Sequence, residues 1–361
     1  MNIPIPKHFN SNSFNTSQNG GMMNDGDNPN SPVRMVASLT TVPERIQYVH
    51  EVLKTLLNQK MPFSRIYLHI PYQNLKGRHY MVPNHLTDFA KANGIVINRV
   101  KEDLGPITKL IPVLRLESDP ETIIVTFDDD TLVHPLVSYI LFRKCQEYPR
   151  ACLSFSGWCV GKFPYLYQLA IKNDRDIACD WLQGVHSIAY RRKFLNEEEI
   201  LRFPHNLPAK EKSLLKMNDD HWISAYLETK KIPKLAINYP AKEFFQTLVL
   251  PDADKSISSQ GGFWSGVNNL SQYFRRQNIY RREFDSQSSV VYLFGMMILA
   301  AIIGFLIISR LFHSPANFGL SVGLLILALL LMGKYFILYS GFALRRVRFG
   351  DPVQWSNFIR N

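Results

Sequence analysis

The stretch ETIIVTFDDDTLVHP, Glu121 to Pro135, constrains this chain more than any other. Ile123, Ile124, Val125, Thr126 and Phe127 form an uninterrupted β-branched and apolar run, the pattern of a strand covered on both faces. It runs straight into Asp128, Asp129 and Asp130. A buried strand that ends in three carboxylates is unfavourable unless a cation waits at its end. Open α/β sheets place ligands at the carboxyl ends of their central strands, so the triplet is placed to hold a hard divalent metal and, through it, phosphate oxygens. A solvated acidic turn is the other reading of the same residues.

The elements before this stretch decide what kind of sheet surrounds it. Val33 to Thr40 reads as a strand, and Thr41, Val42 and Pro43 start a helix whose apolar residues Ile46, Val49, Val52, Leu53, Leu56 and Leu57 recur at the helical period. Arg65 to Ile70 is strand-like, His85 to Asn93 a short helix ended by Gly94, and Ile95 to Val100 a third strand. Alternating strands and helices predict a mainly parallel α/β sheet flanked by helices. Next, Gly105 and Pro106 break the chain and launch a helix with Lys109 near its start. A lysine there meets a phosphate both by charge and beside free N–H groups, or else stands on a solvated face.

Beyond Pro135 a helix is expected to Tyr148, followed by an aromatic and small-residue region, CLSFSGWCVGKFPYLYQ and CDWLQGVHSIAYRR. Trp158 and Trp181, each near a glycine, are candidate stacking platforms for a sugar ring or simply core aromatics. Asp180 to Tyr190 reads as one strand carrying Gln183 and His186, the latter a metal ligand or a hydrogen-bonded core histidine. Asn218 is an N-cap candidate that puts Asp219 and Asp220 in a first helical turn, with Trp222, Ile223, Tyr226 and Leu227 on the apolar side. Trp158, Trp181, Gln183, His186 and Trp222 are the candidate acceptor-binding residues.

The ends of the chain have a different character. Residues 1–32 are rich in Asn, Ser and Gly and cannot bury enough surface to offset their ordering entropy, so a disordered arm without a secretory signal is expected. From Ser286 to Ser309, and again from about Asn317 to Tyr339, the sequence is apolar over lengths that cross a hydrocarbon core of about 30 Å. With the connector RLFHSPAN between them, 286–340 is predicted to form a transmembrane hairpin. Much of the net charge of +11 lies in arginines that bracket this region, which a membrane explains better than nucleic acid does. The positive-inside bias then puts residues 33–255 and the tail 341–361 in the cytoplasm. Residues 256–285 are expected to supply a lid, SISSQGGFWSG, and an interfacial segment in which Tyr273, Phe274, Ile279 and Tyr280 rest on lipid among arginines. The four cysteines are too scattered for a disulfide framework or zinc site and read as reduced core thiols.

Strand, helix, strand, Gly-Pro-x-Thr-Lys, a hydrophobic strand ending in Asp-x-Asp, and later the acidic pair of NDDHW follow an order that resembles nucleotide-sugar glycosyltransferases of the GT-A fold, family-two-like, with a DXD motif. The resemblance covers Val33 to about Tyr239. It implies that Asp130 touches a Mn2+ or Mg2+ ion, that Asp128 touches the metal or the ribose, and that Asp129 lies beside them at the nucleotide sugar. It also implies that Thr40, Thr41 and Arg45 line the nucleotide end, Asp103 the base and Lys109 the diphosphate. Of the acidic pair, Asp220 would face the acceptor hydroxyl as general base of an inverting reaction, with Asp219 beside it. The layout further resembles polyprenyl-phosphate glycosyltransferases, which implies a nucleoside-diphosphate sugar donor, UDP-linked by preference, and a glycan or lipid-linked acceptor. Two other readings of the residues stand beside this one: a metal-dependent phosphodiesterase or nuclease, and a non-catalytic membrane protein that binds sugar.

Overall fold

Strand β1 (Met35–Thr40) shows why the sheet forms where it does. Met35, Ala37 and Leu39 enter one apolar cluster and Val36 the other, so the strand is covered on both faces. The chain continues through α1 (Val49–Leu57), β2 (Arg65–Pro71), α2 (Asn84–Ala92), β3 (Val96–Val100), a 3-10 turn (Gly105–Lys109), α3 (Ile111–Leu116) and β4 (Ile123–Phe127). Then come β5 (Thr131–Val133), α4 (Val137–Glu147), β6 (Cys152–Ser154), β7 (Gly157–Val160), β8 (Tyr167–Leu169), β9 (Ile177–Ala178), β10 (Trp181–Leu182), a second 3-10 turn (Gly184–His186) and β11 (Ile188–Arg191). The remaining elements are α5 (Glu197–Arg202), α6 (Ala209–Leu215), α7 (Asp219–Thr229), β12 (Lys234–Ala236), β13 (Phe245–Thr247) and α8 (Phe263–Arg276).

This computed structural model describes residues 33–160, 167–169, 176–239, 244–248 and 263–281. The predicted arm 1–32, most of the predicted lid, the hairpin 286–340 and the tail 341–361 lie outside the described residues. Among the described residues no helix is long and apolar enough to cross a membrane.

The main sheet has eight strands in the order β3-β2-β1-β4-β11-β6-β12-β9. Its first four strands run parallel, as the strand–helix alternation predicts, and β6 pairs parallel with β12. Strand β11 is inserted antiparallel between β4 and β6, so the architecture is a mixed, mainly parallel α/β sheet. That antiparallel insertion matters for the site. Because Ile188 pairs with Thr126, the 3-10 turn leading into β11 meets the carboxyl end of β4, where the aspartates begin. All five residues of β4 are buried, as its composition requires.

Several local expectations are corrected. Asp180 to Tyr190 is not one strand: the chain leaves β10, makes a 3-10 turn and passes through Ser187 at φ 58 and ψ 151 before β11. Lys109 ends a 3-10 turn instead of opening a helix. Asn218 occupies the N-cap position of α7, yet its side chain donates backwards from Nδ2 to the Leu214 carbonyl at 2.7 Å. Helix α7 has no polar face between His221 and Leu227, all of which are buried, so it is a core helix enclosed by its neighbours.

Helix α8 revises the interfacial segment. Phe274 and Tyr280 are 0% and 1% exposed, and the Tyr280 hydroxyl meets His221 Nδ1 of α7 at 2.9 Å. Ser271 Oγ meets the other ring nitrogen at 3.2 Å. These aromatic groups are therefore used within the protein and are not free for lipid, while Arg276 and Arg281 remain exposed. The four cysteines are buried thiols that form no disulfide, in line with core thiols.

Candidate active site

Parallel pairing of β1 with β4 brings the turn after β1 beside the aspartate triplet. Asp129 points inward and is 3% exposed. It accepts a 2.5 Å hydrogen bond from Thr41 Oγ1 and both prongs of the Arg45 guanidinium, Nε at 3.1 Å and Nη2 at 2.7 Å. Such a two-pronged pairing fixes direction as well as charge. Arg45 also donates from Nη1 to Asp130 Oδ2 at 2.6 Å. Burial works against the guanidinium charge, but Asp129, Asp130 and Asp128 together raise its pKa above the ordinary value. Asp130 goes the other way: burial first, then the charges of Asp128 and Asp129, push its carboxyl up to about 6.

Lys109 is the hinge between the two acidic segments. Its ammonium donates to Asp128 Oδ1 at 2.8 Å and stands 3.1 Å from Asp219 Oδ2, with 7% of the lysine side chain exposed. Burial opposes the charge, yet Asp128, Asp219 and Asp220 hold the lysine well above its usual pKa. Asp128 is lowered in return, because the Lys109 charge and hydrogen bond overcome its burial. The first turn of α7 thus faces the end of β4 across a single cation.

Asp220 completes the cluster. Its Oδ2 accepts the Gly184 N–H at 3.0 Å, while Oδ1 is shut off from solvent without a partner. Burial, then the neighbouring Asp219 charge, raise this carboxyl to about 8. Gly184 is a glycine for want of room. A Cβ there would stand 2.6 Å from Asp220 Oδ1 and 3.2 Å from Lys109 Nζ. Sequence reasoning missed Gly184, although an isolated glycine inside a strand-like run signals close approach of another group. A second glycine holds the outer loop: Gly105, at φ +77, has the Lys216 carbonyl 2.6 Å from where its Cβ would be.

The other predicted residues are divided. Thr40 lies at the end of β1 and donates to the His69 carbonyl at 2.8 Å. Asp103 accepts the backbone N–H groups of Leu75 at 3.1 Å and Gly105 at 2.8 Å, which makes it a fastener of the loop that carries Lys109. His186 lies next to the cluster, lowered by burial against the opposing charge of Asp128, with Nδ1 buried and unpaired. Gln183 Oε1 accepts from Ser156 Oγ at 2.7 Å and Trp158 Nε1 at 3.1 Å.

Trp158 and Trp181 stack on each other, 5.6 Å between centroids and 7° between planes. Trp181 is 3% exposed and its ring also packs on His221 at 4.4 Å. Trp222 is buried too, with its indole N–H on the Ile200 carbonyl at 2.8 Å. Neither buried tryptophan offers a face to a sugar, so both leave the set of acceptor candidates, and of the three tryptophans Trp158, half-buried, stays in it.

Charge counting tests the cluster against a metal. Five carboxylates, on Asp128, Asp129, Asp130, Asp219 and Asp220, share Lys109 and Arg45. The surplus is negative, and Asp128 and Asp130, at 31% and 20% side-chain exposure, are the two of the triplet that reach the surface. Magnesium-type ions take one or two carboxylates and complete their shell with phosphate oxygens and water, so the pair fits such an ion. Among the described residues no group of three or more His, Cys, Asp or Glu is gathered that could hold a metal ion.

No protein-family model matches this chain, and no curated protein does. Among solved structures it is similar to S. aureus TarS 1-349 in complex with UDP, at 12% identity and a TM-score of 0.41 over 61% of each chain. It is also similar to S. aureus TarS 1-349 in complex with UDP-GlcNAc, at 10% identity and a TM-score of 0.43 over 66% of this chain and 65% of that one. A third likeness, to S. aureus TarS 1-349, has 12% identity and a TM-score of 0.42 over 74% and 81% of the two chains. The chain spans less than two thirds of the first two. These likenesses are distant, all below a TM-score of 0.5.

Proposed function

We propose that this chain is a membrane-anchored, metal-dependent glycosyltransferase of GT-A type that moves a sugar from a nucleoside-diphosphate sugar, a UDP-sugar by preference, to a glycan or lipid-linked hydroxyl. One observation carries the reading: Lys109 bridges Asp128 at the end of β4 and Asp219 at the start of α7, so the two acidic segments meet at one cation. The residue order of the glycosyltransferase motifs in the sequence supports it.

Asp128 and Asp130 would hold Mn2+ or Mg2+, which supplies Lewis-acid stabilisation of charge on a departing diphosphate. Lys109 adds a second positive charge in a water-poor setting, where it acts more strongly than in bulk solvent. Arg45 and Thr41 lock Asp129 inward, which turns the flanking aspartates outward. In the transfer step the acceptor oxygen bonds to the anomeric carbon as the bond from that carbon to the diphosphate oxygen breaks. The hydroxyl proton passes to Asp220, whose Oδ2 is held by the Gly184 N–H. A carboxyl raised to about 8 accepts a proton only in its ionised form, so this role strengthens as pH rises toward 8.

The two apolar runs in 286–340 would anchor the protein with its catalytic part cytoplasmic. The test of the activity is incubation with Mn2+ and a panel of UDP- and GDP-sugars, with release of the nucleoside diphosphate as readout. Turnover should disappear in Asp130→Asn while the circular dichroism spectrum is kept. Undiminished turnover by that variant at saturating Mn2+ would refute the metal assignment, and no release from any sugar nucleotide would refute the glycosyltransferase reading.

A further inference from the structure

Ser38, His69 and Asn98 stand side by side on β1, β2 and β3, on the same face of the sheet as Val36 and Tyr67, where the pattern calls for apolar residues. Ser38 and His69 are both 0% exposed. Burying adjacent polar side chains is costly unless each is satisfied, and here each is. Asn98 Nδ2 lies 3.0 Å from His69 Nδ1, His69 Nε2 lies 3.0 Å from Ser38 Oγ, and Ser38 Oγ donates to the main-chain carbonyl of Lys109 at 2.5 Å.

The carbonyl end fixes the direction of this chain. A carbonyl only accepts, so the single proton of Ser38 goes to Lys109 and Ser38 must accept from His69. His69 Nε2 therefore carries the ring proton, Nδ1 is the acceptor, and the Asn98 amide donates to it. A charged imidazolium would have a proton on Nδ1 facing that amide and would break the series. Burial keeps the ring neutral, with its pKa lowered to about 3.

The carbonyl so gripped belongs to the residue at which the 3-10 turn gives way to α3, between Pro106 and Pro112. Its side chain reaches the opposite way, to Asp128 and Asp219. We propose that Asn98, His69 and Ser38 are positioning residues that set the place of the Lys109 ammonium between the two acidic segments. The role assigned to Lys109 in transfer rests on the glycosyltransferase reading. The relay and its grip on the lysine do not.

Two measurements separate these. In the full chain with 15N-labelled histidine, the His69 ring, assigned by its loss in His69→Gln, should show the neutral Nε2–H form throughout pH 5 to 8. Ser38→Ala should shift both that signal and the side-chain 15Nζ signal of Lys109, assigned by its loss in Lys109→Met. A protonated or Nδ1–H ring, or a Lys109 signal indifferent to Ser38→Ala, would overturn the proposal whether or not the protein turns over a sugar nucleotide.

Turnover then tests the consequence. Ser38→Ala should lower kcat by about tenfold or more, as expected for a misplaced charged group. In the Lys109→Met background the same change should cost less than about twofold, because residues acting through one group are not additive. Equal losses in both backgrounds would mark a general structural role and refute the assignment. Should Ser38→Ala not fold, Asn98→Leu at the half-buried end of the relay is read in the same two ways.

Discussion

Gly184→Ala is the change whose effect follows most directly from the geometry. The backbone there is not in the left-handed region, so alanine is tolerated in conformation and the penalty comes from space alone. The new methyl would stand 2.6 Å from Asp220 Oδ1, which must recede to the 3.4 Å or more of an ordinary contact. Asp220 sits in the first turn of the enclosed helix α7 and its Oδ2 is tied to the Gly184 N–H, so it has little freedom to yield. Overpacking of this kind costs about 1–3 kcal/mol, and the entropy gained from replacing glycine returns about 0.4–1 kcal/mol of it. A net loss of about 1–2 kcal/mol is expected. Turnover should fall by about a hundredfold, the usual result of moving a catalytic group by nearly an ångström. The decisive assay is a double-mutant cycle with Asp220→Ala, followed by denaturant unfolding of the full chain through tryptophan fluorescence. With the carboxylate gone the 2.6 Å clash is removed and only the Lys109 ammonium, at 3.2 Å and at the end of a flexible side chain, still crowds the methyl, so Gly184→Ala should cost much less in that background. Additivity of the two changes to within about 0.5 kcal/mol would refute the reasoning.

Asp220→Asn is expected to lower kcat by at least about a hundredfold and to remove an acidic limb of the rate profile that in the native protein rises toward about pH 8. The sign for stability follows from the same shift: a carboxyl raised to about 8 favours the fold below its unfolded pKa and loses that contribution as pH rises through about 8, so Asp220→Asn should gain relative to the native protein between pH 5 and pH 9. Equal stability differences at the two pH values, or a profile unchanged in the variant, would contradict it. For the anchor, protease added to sealed cytoplasm-in vesicles should spare both the catalytic domain and the tail 341–361, and digestion of either would reverse the proposed orientation.

The parts of the fold that were legible in the sequence are those where one physical requirement dominates. Ile123 to Phe127 has no reading except a covered strand, and the helical period of Val49, Val52, Leu53 and Leu56 places α1 to within a few residues. A cation at the end of that strand was expected, but Lys109 was read as a phosphate ligand or a solvated residue, and its pairing with Asp128 and Asp219 emerges only from the fold. What remained hidden depends on partners distant in the chain. The run from Asp180 to Tyr190 reads as a strand until the N–H of Gly184 is taken by Asp220, a residue 36 positions away. Trp181 and Trp222 stand as acceptor candidates only while the enclosure of α7 and the packing of Trp181 on His221 are unknown, and the strands β5 to β10 are too short to leave a period. Ser38, His69 and Asn98 each pass for an isolated polar residue in a strand until the parallel pairing of three strands puts them on one face, with His69 opposite Asn98 and within reach of Ser38.

Bridging of the two acidic segments by Lys109 also sets an order of events during synthesis. Arg45, Lys109 and the three aspartates of the triplet all precede residue 131, and Asp220 follows the triplet by 90 positions. At ribosomal rates that interval is on the order of ten seconds. A chain arrested near residue 180 already contains both cations and three of the five carboxylates, whereas the strand β11 that will bring Gly184 to the end of β4 is still missing. Asp219 and Asp220 therefore arrive at a lysine that the earlier half of the chain has supplied, and the last carboxylate of the cluster to be made is the one assigned to proton transfer.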